Sequence, residues 1–226
     1  MLKHSLTTSD IFLIIVNLVP LYGVWFMNWD AAQMFLIYCM ESVIIGMFQV
    51  VKLLVLSFFK RSDVWNEDAP NASKQPGWLF IIFFILHYGF FVFVQVSIFI
   101  SVGSISKTVG QDVGAFDLIF HFTNYLQPGS LIALLLFTAA YAIVTVKDFF
   151  ITGQYKTASM GVVMFQPYLR IVVQQFVVII GSLFLSFGAS KIFMLVFVVI
   201  KIFFEILLPY SKVFDAQLKK LKQQDV

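Results

Sequence analysis

Residues 38–54 read YCMESVIIGMFQVVKLL, the middle of an apolar run from 31 to 59. A run of that length predicts a transmembrane helix, which needs about 20 mainly apolar residues. Hydrocarbon does not tolerate unpaired charge, yet this run carries Glu41 and Lys52. Glu41 lies about ten residues in, some 15 Å deep at about 1.5 Å per residue. Lys52 comes roughly three turns later on nearly the same face, with Tyr38 and Phe48 beside the stripe. About 16 Å of helix separates the two charges, so they cannot pair with each other. Lys52 can snorkel to an interface. Glu41 cannot, and needs partners from other helices.

The rest of the chain has the same character. Of its 226 residues 60% are hydrophobic and 12% charged, and the mean hydropathy is +0.92, whereas soluble domains run nearer about 45–50% apolar and 25% charged. The composition predicts an all-α, polytopic helical membrane bundle, with 1–226 a single integral membrane domain. Six windows qualify as spans, at 11–28, 31–59, 78–101, 129–150, 168–187 and 190–210. NWD at 28–30 makes a tight polar turn, QPGS at 127–130 opens span four, FQP at 165–167 opens span five, and GAS at 188–190 turns into span six. The first window is read as a retained span and not a signal peptide, because Asn17 and Pro20 interrupt it and no small-residue cleavage site follows.

Lys and Arg set the orientation. With the amino terminus inside, Lys3, Lys60, Arg61, Lys74, Lys147, Lys156, Lys212, Lys219, Lys220 and Lys222 are cytoplasmic, and only Lys107 and Lys191 lie outside. This predicts a multi-pass protein of the cell (plasma or inner) membrane with both termini cytoplasmic. Residues 60–77 are expected as a solvated cytoplasmic loop and 211–226 as a basic cytoplasmic tail. The glycosylation-like NAS at 71–73 falls on the wrong side and reads as chance. AFDLIFHFTNYL at 115–126 spaces Asp117, His121 and Asn124 on one stripe, which predicts a short interfacial helix.

Partners for Glu41 are available in other spans. Span three carries His87, Tyr88 and Gln95; span five carries Arg170, Gln174 and Gln175; span six carries Lys201 and Glu205 at i, i+4; span one adds Asn17 before the Pro20 kink. Span four offers only Thr138, Tyr141 and Thr145 and is expected to be peripheral. A charge at mid-helix costs about 2.5–3.5 kcal/mol, so Glu41, Lys201 and Glu205 left unpaired would cost roughly 8–10 kcal/mol. The polar residues of five helices should therefore converge inside the bundle. By depth alone, Glu41 and His87 are expected within about 8 Å of each other, the reach of a water-bridged pair. Plainer roles compete at each position: Lys201–Glu205 as a self-neutralising packing pair, the glutamines as interhelical hydrogen-bond glue, Asn17 as a partner for carbonyls freed near Pro20, and Arg170 as an interfacial anchor.

NLVPLYGVWFMNWD, YCMESVIIGMFQVVKLL, FFILHYGFFVFVQ, PYLRIVVQQFVVIIGS and VIKIFFE occur in that order along nearly the whole chain. Together they resemble an uncharacterised family of small prokaryotic multi-spanning membrane proteins of unknown function. The Glu-Ser and His-Tyr-Gly elements are the most specific pieces, followed by Pro-Tyr-x-Arg-Ile. The resemblance implies a compact helical membrane domain and marks Glu41, Lys52, His87, Tyr88, Arg170 and Lys201 as characteristic positions. It implies no activity.

Several function classes are excluded or weakened. One cysteine, Cys39, rules out an internal disulfide or a cysteine metal cluster. His87 is the one histidine within the spans, so zinc or haem held by several histidines is excluded, and no cofactor is expected. There is no HExxH, GxSxG, paired-aspartate or phosphate-loop motif, and no basic stripe suited to nucleic acid. The expected partners are the lipid bilayer and a small ion or solute. Transport or binding of that ion or solute at the buried polar set ranks first. An accessory subunit whose polar set specifies helix packing ranks second, and a membrane enzyme using a Glu–His pair third.

Overall fold

The structure is a computed structural model describing residues 8–64, 73–101, 113–187 and 190–207. In chain order come α1 (Thr8–Phe26), α2 (Ala31–Lys60), a hairpin of β1 (Ser62–Val64) and β2 (Lys74–Pro76), and α3 (Gly77–Ser101). There follow α4 (Ala115–Phe120) with a 3-10 turn over Phe122–Tyr125, then α5 (Pro128–Thr145), which widens into a π-turn over Val146–Ile151. Two short helices, α6 (Gln154–Thr157) and α7 (Met160–Phe165), precede α8 (Tyr168–Ser186) and α9 (Ser190–Leu207). Helices thus fall on all six apolar windows. Three of them, Ala31–Lys60, Gly77–Ser101 and Pro128–Ile151, are long and apolar enough to cross a membrane, with shorter apolar stretches at Ile14–Phe26 and Met194–Phe203. The tail at 211–226 lies outside the described residues.

α2 is the axis. Every residue from Gln33 to Ser42 is buried, as expected of a helix that is apolar all round and surrounded by others. Its start is fixed by Asp30, whose carboxylate accepts the Ala32 N–H at 2.8 Å, a side-chain N-cap. The preceding turn brings Trp29 back so that its N–H donates to the Gly23 carbonyl at 3.0 Å. The Trp29 indole fills space that side chains would need at both Gly23 and Gly129, where a Cβ would stand 2.0 and 2.7 Å from the ring. One ring therefore ties α1 and the first turn of α5 to the start of α2.

α3 packs along α2 with Phe80, Phe84, Tyr88, Val92, Gln95, Val96 and Phe99 buried, a single stripe at helical spacing. Trp78, Ile82, Ile85, Leu86 and Phe90 lie exposed around it. α5 repeats the arrangement, with Ser130, Ala133, Leu134, Phe137 and Ala140 inside and Leu131, Ile132, Leu135, Leu136 and Ile143 outside. Large apolar side chains thus cover the surface while polar ones collect within, an arrangement suited to lipid.

Within the stretch 60–77, expected as a solvated loop, the described residues Ser62–Val64 and Lys74–Pro76 pair antiparallel, with Asp63 opposite Gln75. Asp63 is buried and accepts the Met160 N–H at 2.8 Å. It thereby anchors α7, and Gln49 of α2 donates to the Val163 carbonyl of the same short helix. The short helical segment after α5 is thus held against α2 and the β1–β2 pair by these two side chains.

Gly46 sets the α2–α3 distance, since a Cβ there would lie 2.7 Å from the Tyr88 ring. Gly46→Leu is expected to separate the helices and cost about 1–3 kcal/mol, the usual penalty of overpacking. Gly89→Ala, with nothing within 4 Å of its Cβ position, should match wild type or gain up to about 1 kcal/mol, the helix-interior advantage of alanine over glycine. Thermal unfolding in detergent separates the two, and equal behaviour of both variants would refute the packing assignment.

Candidate functional site: a buried charged cluster around Glu41

Glu41 has no exposed surface. Its Oε1 accepts the Tyr141 hydroxyl at 2.6 Å and an Arg170 Nη at 2.6 Å, and its Oε2 accepts the Lys201 ammonium. The three donors come from α5, α8 and α9, so one carboxylate on α2 joins four helices. Both cations also lie over aromatic faces. Lys201 Nζ is 4.4 Å from the Tyr38 ring centroid and 4.5 Å from that of Phe137, and the Arg170 guanidinium is 4.9 Å from the Tyr141 ring. Stacking of this kind adds roughly 2 kcal/mol where the cation is desolvated.

A second layer holds the first. Tyr38 donates its hydroxyl to the Asn17 carbonyl at 3.3 Å, bringing in α1, and Gln174 donates to the Tyr38 carbonyl. Tyr88 of α3 donates to the Ser42 carbonyl at 2.9 Å. Asn17, Glu41, Tyr88, Arg170, Gln174 and Lys201 are thus gathered as the sequence predicted. Gln95 is fully buried on α3 and Gln175 half-buried on α8, one to two turns from the cluster. The side chain of Glu205 lies outside the described residues, so the expected Lys201–Glu205 pairing falls there too.

Two expectations are corrected. His87 does not meet Glu41: it is exposed, and its Nδ1 lies 2.9 Å from the Tyr168 hydroxyl. Phe83 and Phe91 flank its ring at 5.1 and 5.3 Å. Depth was matched but azimuth was not. Successive helical residues diverge by about 100°, and the inward position belongs to Tyr88. Span four is not peripheral either, because its Tyr141 hydroxyl bonds Glu41 directly. Lys52 stands apart from the cluster as its depth implied, 5.9 Å from the Phe149 ring and near Asp148. Tyr141, Tyr38 and Phe137 are the site residues that sequence reasoning undervalued. The available signal was their place on helix faces that must meet charge.

The arrangement concentrates one carboxylate and two cations, within reach of one hydroxyl donor, at a single point among four helices. A further cluster lies in the α4 region. His121 Nδ1 donates to Asp117 Oδ1 at 2.9 Å, and the Tyr125 hydroxyl donates to Asp117 Oδ2. The predicted third member, Asn124, instead uses its backbone N–H, bonding the His121 carbonyl at 2.9 Å. Among the described residues no group of three or more His, Cys, Asp or Glu could hold a metal ion.

Removing one partner of a buried ion pair costs about 3–5 kcal/mol, so Glu41→Gln and Lys201→Met should each destabilise strongly. The double variant should lose much less than their sum, and Tyr141→Phe alone about 1–3 kcal/mol. Additive losses in a detergent unfolding series would mean that the pair does not carry the energy. Hydrogen bonds from Tyr125 and then His121 hold the Asp117 carboxyl below its ordinary range. That depression stabilises the turn above the ordinary aspartate pKa, and the contribution is lost as pH falls through the lowered value. Tyr125→Phe should raise the Asp117 midpoint toward about 3.9, read from its labelled carboxyl resonance. An unmoved midpoint would discount the Tyr125 bond.

No curated protein and no solved structure matches the chain. A family model described as a family of unknown function, DUF6498, matches residues 1–224. With that match covering almost the whole chain, the protein belongs to the DUF6498 family of unknown function.

Proposed function

We propose that this protein is an integral membrane protein, six helices crossing the cell membrane with both termini cytoplasmic, whose interior binds and passes a small ion or solute at the Glu41–Arg170–Lys201 cluster. The observation that carries the reading is Glu41 itself: a carboxylate with no exposed surface, engaged by donors from three other helices. Ionisable groups are costly among apolar helices and mark ion and substrate pathways there. The uneven distribution of Lys and Arg supports the orientation, and the three long apolar helices support the membrane assignment. In this scheme an incoming anion competes with Glu41 for Arg170 and Lys201, and an incoming proton or cation competes with them for Glu41. Arg170, with 15% of its side chain exposed against 8% for Lys201, is the member through which exchange begins.

A second reading has its own observation. Both Glu41 oxygens are occupied, which suits a packing lock in an accessory membrane subunit. Acid–base catalysis by a Glu41–His87 pair loses its geometric basis, because His87 bonds Tyr168 instead.

Purified protein in liposomes, assayed for proton, alkali-cation and small-anion flux, separates the two. The transport reading expects flux from the wild type and at least a tenfold loss in Arg170→Gln, checked for folding by its unfolding temperature. Absence of flux for every ion, with no small molecule retained in native mass spectrometry, would leave the packing lock.

A further inference from the structure

Beyond the charged cluster, and among the described residues, four buried side-chain atoms on three helices have no oxygen or nitrogen partner: Gln95 Nε2, Gln95 Oε1, Gln175 Oε1 and Ser42 Oγ. Gln95 and Ser42 have no exposed surface at all. The Cys39 thiol shares a hydrogen bond with the Gln95 side chain, but a thiol is a weak partner that leaves an amide largely unsatisfied. Each orphaned polar atom in an apolar interior costs about 1–3 kcal/mol. Such costs are ordinarily met by bound water.

Register brings the two glutamine amides to one level. Forward along α8, Arg170 meets Glu41 and Gln174 meets Tyr38, so α8 runs antiparallel to α2. α3 does the same, with Tyr88 at Ser42 and Gln95 at Cys39. α3 and α8 are therefore parallel, and Tyr88 and Tyr168 touch across them with ring centroids 6.0 Å apart. Gln95 and Gln175 each follow their tyrosine by seven residues, two turns or about 10 Å along the helices. The two amides thus stand level on facing helices beside Cys39, and Ser42 lies about one turn further along α2, next to Glu41.

We propose that Gln95, Gln175 and Ser42 hold a file of buried water between α2, α3 and α8, and that this file is the hydrated approach to the Glu41 cluster. The four atoms offer a donor and several acceptors, and water, being both donor and acceptor, satisfies all of them. A dry apolar ligand satisfies none. Use of the file by a moving ion rests on the ion-or-solute reading above, and its hydration does not. That use favours a proton or small hydrated ion over an apolar solute.

Water-edited solid-state NMR of the full chain in lipid, with 15N-labelled glutamine side chains, tests the inference. Gln174, whose amide is committed to the Tyr38 carbonyl, serves as the internal control. Polarisation from water should reach the Gln95 amide severalfold faster than that of Gln174. Gln95→Leu, nearly equal in volume, should lower the unfolding temperature by breaking the file. Equal transfer to both amides, or a raised unfolding temperature in Gln95→Leu, overturns the proposal by showing a dry and merely unsatisfied amide. A hydrated Gln95 in a protein without ion flux supports the water file and removes the transport reading alone. Flux through a protein with a dry Gln95 overturns the water file alone.

Discussion

The structure depends on neutralising one carboxylate. Glu41 sits in the first half of the most buried helix, where an isolated charge would be untenable, so α5, α8 and α9 must each present a donor at one level and one azimuth. That requirement fixes helix rotation more sharply than apolar packing can, since leucine and phenylalanine surfaces tolerate small rotations and a bonded carboxylate does not. Tyr38 and Phe137 show the constraint spreading outward. Their rings support the Lys201 ammonium, and Tyr38 in turn reaches the Asn17 carbonyl of α1.

The two ends of α2 are closed by different chemistry. At the Asp30 end the closure is steric, with one indole seated where Gly23 and Gly129 leave room. At the Lys60 end it is polar, with Asp63 and Gln49 holding backbone groups of α7. Between the ends the charged cluster supplies specificity. The central helix is thus held at three heights by a shape fit, an ionic junction and a pair of side-chain-to-backbone bonds.

Much of this was legible in the sequence because it follows from composition along the chain. Apolar runs bounded by NWD, QPGS and FQP marked helices within a few residues, and Glu41, Arg170 and Lys201 declared themselves as charges in the wrong medium. What escaped notice had no such one-dimensional signature. Tyr141 is an ordinary residue for a membrane helix, and only the rotation of α5 turns its hydroxyl onto Glu41. His87 shared Glu41's depth, but the stripe Phe80, Phe84, Tyr88 had already taken the inward face. The hairpin at Ser62–Val64 and the short helix Met160–Phe165 are too brief to show periodicity. They exist through contacts made by residues nearly a hundred positions apart.

The Glu41 junction also constrains biogenesis. Its donors lie 100, 129 and 160 residues further along the chain. Translation proceeds at about 5–20 residues per second, so Lys201 follows Glu41 from the ribosome by roughly 8–30 s. Until Tyr141 emerges, 100 residues on, α2 holds a carboxylate with none of its native donors, and it lacks Lys201 throughout the interval. An early-released α2 must keep Glu41 near water or carry it protonated, and the junction cannot close until α9 arrives. A chain truncated before α9 would leave Glu41 without its Lys201 partner.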